Sequence, residues 1–245
     1  MPRFDNMQTI QLPGAGHFQF SAARPDTLGA TEYTLVTIVV DISSSVFDFR
    51  QPLLKTIKSI IGACQKSPRA DNLMVRLLLF NEQRQEVHGF VPLNQIDSAQ
   101  YKTLKCNGIT ALYDAVYDAV GATNAYAKNL FMQDFDVNAA IYILTDGMDN
   151  SSGLHPKDIA DQVAVALKQE YLESLITVLV GVDTQHAGVS GYLQLFKDEA
   201  KLGQFVDVAD ADADNLAKLG NFVSQSISLQ SQTLGTGNAA QSLRF

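Results

Sequence analysis

The chain predicts an α/β, doubly wound fold: a mostly parallel sheet with one antiparallel edge strand and helices on both faces. Three observations carry that expectation. Buried β-branched runs alternate with amphipathic segments of helical period from Tyr33 to about Leu229. The strand-like runs are apolar almost throughout, as expected where both faces are covered. Parallel neighbours require right-handed crossovers, which the intervening helices supply.

Taken in order, Thr9-Ile10-Gln11-Leu12 and His17-Phe18-Gln19-Phe20 alternate on either side of Pro13-Gly14-Ala15-Gly16, a β-hairpin pattern. Ser21 to Thr31 reads as a connector. Leu35-Val36-Thr37-Ile38-Val39-Val40 predicts a central strand. Leu53, Leu54, Ile57, Ile60, Ile61 and Cys64 then recur at helical spacing, with Pro52 tolerated in the first turn. Leu73 to Phe80 is the next strand. Glu86 to Val91 follows after only Asn81–Gln85, too short for a helical crossover, so it is expected antiparallel and at a sheet edge. A helix from Ala111 to about Leu130, a strand from Ala139 to Leu144 and a helix from Pro156 to about Gln169 come next. The strand Leu175 to Val182, a helix near Tyr192 to Lys201, the strand Phe205 to Val208 and a helix from about Asp214 to Leu229 complete the pattern. The expected organisation is a hairpin extension over residues 1–31, one domain over 32–230, and a flexible tail over 231–245, which is rich in Ser, Gln, Gly and Asn.

Composition narrows the function. Net charge is −8, from 18 Lys+Arg against 26 Asp+Glu, and an acidic surface repels phosphate backbones, so no nucleic acid is expected as partner. No apolar run reaches the roughly 18 residues of a membrane span, so no membrane partner is expected either. Two cysteines, Cys64 on a helix stripe and Cys106 in a loop, suit a reducing compartment. With no apolar signal core behind Arg3, a cytoplasmic protein is expected.

In doubly wound folds ligands bind beyond the carboxyl ends of the strands, where strand order reverses. Asp41-Ile42-Ser43-Ser44-Ser45 follows one buried strand, Thr145-Asp146-Gly147-Met148-Asp149-Asn150 follows another, and Cys106-Asn107-Gly108-Ile109-Thr110 precedes a helix. Ser43 and Ser45, two apart, point their hydroxyls the same way in an extended loop. Gly108 can bend the loop that brings Thr110. Asp41, Ser43, Ser45, Thr110 and Asp146 together form an all-oxygen set of hard donors, which suits Mg²⁺, with Mn²⁺ accepting the same donors.

These segments resemble a von Willebrand factor A (VWA) domain with a metal-ion-dependent adhesion site (MIDAS). Asp41-Ile42-Ser43-Ser44-Ser45 is similar to that family's Asp-x-Ser-x-Ser motif, Thr110 to its separate Thr, and Asp146 to the Asp of its Thr-Asp-Gly segment. The resemblance implies that Ser43, Ser45 and Thr110 bind the metal directly, while Asp41 and Asp146 reach it through water. It implies a Mg²⁺-dependent protein-interaction module that takes a partner's Asp or Glu at an open coordination position, and not an enzyme. Family analogy points to work beside an AAA ATPase of the MoxR type or in a tellurite-resistance-like assembly.

Other readings compete. A serine pair or a lone Thr also caps helices, and Asp-Gly is an ordinary turn. A metal-dependent phosphohydrolase would use Asp41 as nucleophile, but such a site wants a second Asp where Ser43 stands, and no Lys sits near Asp146. A scaffold with a purely structural metal is a third reading. Asp210-Ala211-Asp212-Ala213-Asp214 opens like a calcium loop, yet Asn215 and Asn221 stand where Gly and a bidentate Glu are needed. These acids instead suit a helix N-terminus. His17, His88, His155 and His186 are scattered, with His155 and His186 expected on solvated loops.

Overall fold

The apolar runs become strands because β-branched side chains pack well on a pleated surface and lose rotamer freedom in a helix. The computed structural model describes residues 6–12, 18–186, 188–236 and 243–245. Its strands are β1 (Met7–Gln11), β2 (Gln19–Ala23), β3 (Glu32–Asp41), β4 (Leu73–Phe80), β5 (Arg84–Pro92), β6 (Asp136–Thr145), β7 (Leu175–Val182) and β8 (Gln204–Val208). Between and after them lie the helices α1 (Arg50–Cys64), α2 (Leu112–Phe131), α3 (Pro156–Lys168), α4 (Val189–Glu199) and α5 (Ala213–Thr233).

One eight-stranded sheet results, in the order β1-β2-β5-β4-β3-β6-β7-β8. β3 pairs in parallel with β4 on one side and with β6 on the other, with Val40 opposite Leu79 and Leu144. β7 and β8 continue in parallel, while β4/β5 and β1/β2 are antiparallel. From β3 the chain steps to β4 on one flank, and it returns to β6 on the other. The crevice beyond Asp41 and Thr145 is therefore where strand order reverses.

Alternation along β3 sends Val36, Ile38 and Val40 to one face, packed with α1 and α5, and Leu35 and Val39 to the other, packed with α2, α3 and α4. In α1, Ile57, Ile60 and Ile61 are at most 1% exposed. Burying each contributes about 2 kcal/mol, several times the propensity a β-branched residue loses in a helix.

Three expectations need correction. β5 is antiparallel to β4 as expected, but it is not an edge: β2 covers its outer side through a parallel bridge, Ala22 to Phe90, and β1 takes the edge. The approach is possible because residue 89 is glycine; a β-carbon there would lie 1.7 Å from the Ser21 carbonyl oxygen. Ser21 is thus a strand residue rather than part of a connector. The hairpin's turn, including His17, lies outside the described residues. At the other end α5 continues to Thr233, four residues past the apolar pattern, because Gln230 is buried and bonds Ala139 O and Ser174 Oγ through its amide. Residues 237–242 lie outside the described set, while Phe245 packs edge-on against Phe222 of α5.

A buried ion set ties the hairpin side of the sheet to α2. Arg76, in the middle of β4, is 0% exposed and donates to Glu86 of β5 and Asp118 of α2, each at 2.8 Å. Glu86 also accepts from the Ser21 backbone N–H at 2.9 Å. Among the described residues no helix is long and apolar enough to cross a membrane.

Candidate metal centre

Asp41 is the last residue of β3 and Asp146 the first after β6, so adjacent parallel strands deliver both carboxylates to the same rim. Asp41 is 1% exposed, and both of its oxygens are engaged: Oδ1 accepts from the Ser43 backbone N–H at 2.8 Å, and Oδ2 from Thr145 Oγ1 at 2.7 Å. The loop then runs extended through Ser43 into a short 3₁₀ turn, Ser44–Phe49. Its geometry puts Ser43 Oγ 3.1 Å from Ser45 Oγ, and Ser45 Oγ donates to Asp146 Oδ1 at 2.9 Å. Four of the five sequence-predicted residues thus form one continuous polar chain.

Thr110 reaches the rim from a separate loop and is buried, at 4% exposed. Its link to the others is through backbone: its N–H donates to Asn150 Oδ1 at 2.8 Å, and its carbonyl accepts from the Asn150 N–H at 2.9 Å. The Gly108 carbonyl in turn accepts from the Ser44 N–H at 3.1 Å and from Ser44 Oγ at 2.9 Å. Gly108 has φ +76°, and a β-carbon there would meet the Glu82 carboxylate at 1.9 Å. Three loops are therefore tied to one another by their own hydrogen bonds, as a preorganised site requires.

Electrostatics shows what the arrangement lacks. Burial raises the Asp41 carboxyl above its usual 3.8, although the bonds from Thr145 and Ser43 work against the rise. Asp146 is pushed up to about 6, first by burial and next by the charge of Asp41. Among the described residues neither carboxylate has a Lys, Arg or His within ion-pair distance. Two desolvated like charges without a counter-cation are costly. Two carboxylates and a set of neutral hydroxyls fit a hard dication that keeps several waters. Among the described residues no group of three or more His, Cys, Asp or Glu side chains gathers, so a thiolate, imidazole or carboxylate-rich cage is not built here.

Sequence reasoning missed Thr145, Asn150 and Asp149. Thr145 orients Asp41; Asn150 clamps the Thr110 loop; Asp149 Oδ1 accepts from the Tyr113 N–H at 3.3 Å at the start of α2. Their only signal was position, in the segment after a buried strand. Elsewhere Asp212 caps α5, accepting from the Asn215 N–H at 2.8 Å, as its helix-terminus reading expects. His155 is the N-cap of α3, and His88 is buried against the Tyr101 hydroxyl at 2.7 Å.

No protein-family model and no curated protein matches the chain. Solved structures do. The PilB minor pilin from Streptococcus sanguinis superposes with a TM-score of 0.59 at 17% identity, covering 85% of this chain and 64% of that one. The pilus adhesin SpaC from Lactobacillus rhamnosus GG gives 0.60 at 12% identity, covering 91% and 33%. Proximal thread matrix protein 1 from the mussel byssus gives 0.52 at 17% identity, covering 82% and 47%, and a further structure of that protein has a zinc-occupied MIDAS motif. The fold is VWA-like. The chain spans less than two thirds of the length of each of these proteins. In its VWA-like frame the candidate residues occupy the switch-point end of β3 and β6.

Proposed function

We propose that this chain is a divalent-cation-dependent protein-interaction module in which Asp41, Ser43, Ser45, Thr110 and Asp146 hold Mg²⁺, or Mn²⁺, and a partner's Asp or Glu completes the site. One observation carries the reading: two buried carboxylates that have no counter-cation among the described residues, linked through Ser43 and Ser45 at a switch point. A bound dication supplies a positively charged position for an incoming carboxylate. The chain's own residues fix the geometry. Thr145 and the Ser43 N–H hold Asp41, Ser45 holds Asp146, and Asn150 holds the Thr110 loop. The hydroxyls of Ser43, Ser45 and Thr110 add donors without adding negative charge, so a coordination position left open still attracts a partner's carboxylate.

Binding is favoured over catalysis because Asp41, buried with both oxygens engaged, is ill placed to attack as the nucleophile of a phosphohydrolase. The zinc-occupied MIDAS motif of the mussel protein supports a metal at this end of the fold. We assign the partner to a protein, with an AAA ATPase system as the candidate and no nucleic acid or membrane, in keeping with net charge −8. We place the module in the cytoplasm, in keeping with free thiols at Cys64 and Cys106.

The test is a calorimetric titration of Mg²⁺, then Mn²⁺, into chelator-stripped protein, with and without acetate. Saturable one-site binding that Asp41→Ala and Ser43→Ala both lose is the expected result. Absence of binding under every condition overturns the reading. Metal binding combined with undiminished partner capture by Ser43→Ala would make the metal purely structural.

A further inference from the structure

Nine large apolar side chains are exposed among the described residues, and three of them stand within two positions of a proposed metal ligand: Phe47, Ile109 and Met148. They are 51%, 52% and 36% exposed and come one from each of the three interlocked loops. Each is held. The Arg50 guanidinium lies 3.6 Å from the Phe47 ring centroid. The Ile109 N–H donates to Glu82 at 3.0 Å. The Met148 methyl rests 3.6 Å from where a β-carbon on Gly188 would sit. Fixed apolar side chains gathered around a polar centre mark an interaction surface, whereas scattered ones do not.

The charge around this rim decides the partner's chemistry. Asp41 and Asp146 alone would balance a dication. Glu82 lies against Gly108 and Asp149 caps α2, both within a chain of net charge −8. Arg50, against Phe47, is outnumbered by these acids, so attraction for a carboxylate is strongest at the metal's own coordination position, and a run of acidic residues is on balance repelled by its surroundings. The remaining affinity must come from apolar burial.

Resting on the metal-site reading above, we propose that the partner presents a single Asp or Glu between bulky apolar residues, which Phe47, Ile109 and Met148 receive around the coordinated carboxylate. These three side chains choose the partner, and the metal ligands only anchor it. The full chain in Mg²⁺ is panned against a random-peptide display library, and bound clones are released by chelator. Released clones should carry one acid with apolar residues within two positions on both sides. Synthetic peptides of that pattern should lose about tenfold in affinity for each of Phe47→Ser, Ile109→Ser and Met148→Ser, with thermal unfolding checking that each variant is folded. Released clones whose flanks match the library average, or which carry acidic runs, overturn the proposal. So does calorimetric metal binding without any chelator-released clone. A chain that binds no metal removes the metal-site reading itself, and this inference with it.

Discussion

Replacing Asp146 by asparagine should stabilise the metal-free protein while abolishing its response to metal. The magnitude follows from the site. Burial and the neighbouring Asp41 charge push the Asp146 carboxyl from 3.8 up to about 6. Holding it ionised above that range costs about 3 kcal/mol relative to the unfolded chain, at roughly 1.4 kcal/mol per tenfold change in proton affinity. Asparagine keeps an oxygen to accept from Ser45 Oγ, so most of the gain should survive the loss of the charge. The folded state holds this proton more tightly than the unfolded state does. The parent's stability from this group is therefore complete below about pH 4, falls as pH rises between the two values, and is lost above about pH 6. Urea unfolding in chelator should find Asp146→Asn more stable by about 1–3 kcal/mol at pH 7.5, with the gap closing towards pH 4. Added Mg²⁺ at a hundredfold over its Kd should raise the parent by about 2.7 kcal/mol and leave the variant unmoved. A variant no more stable than the parent at pH 7.5, or a gap that persists at pH 4, refutes the like-charge argument.

Thr145→Val removes the hydroxyl that bonds Asp41 Oδ2; calorimetry should show metal affinity lowered about tenfold, and unfolding should show a loss of about 1–3 kcal/mol. Gly108→Ala places a β-carbon against Glu82 at a positive φ, so about 1–3 kcal/mol should be lost in urea unfolding, partly restored by Glu82→Ala. Arg76→Met leaves Asp118 buried with only Arg84, at 4.0 Å, and Glu86 half-buried without its cation, at a cost of about 3–5 kcal/mol, and adding Glu86→Gln and Asp118→Asn should recover much of it.

What the sequence made legible follows from how local each signal is. β7 runs from Leu175 to Val182 as its apolar stretch predicts, because both faces are covered and both ends are abrupt. β3 begins three residues before its apolar run, since Glu32, Tyr33 and Thr34 are held by pairing with Asp136, Val137 and Asn138, which no pattern in β3 itself encodes. The position of β5 inside the sheet depends on a hairpin more than sixty residues away; Gly89 was its only local trace. The site segments were legible because they follow buried strands at the rim. Thr145 and Asn150 were not, because bonds between loops have no periodicity to read. Arg76 was a missed signal: an arginine inside Leu73–Phe80 has to find acids, and the half-buried Glu86 and the buried Asp118 provide them.

The hairpin that displaces β5 from the edge also shortens the open edge, from the nine residues of β5 to the five of β1. Residues of β5 present an unpaired ladder wherever β2 is absent, and an open strand edge is a template for other chains. β2 is held there by one bridge, the Glu86 carboxylate and the missing side chain of Gly89. A shortened chain begun at Glu32 would retain all five candidate ligands and yet expose that edge, so light scattering should find it in larger species than the full chain at equal concentration. Bulk at position 89 would do the same without any deletion.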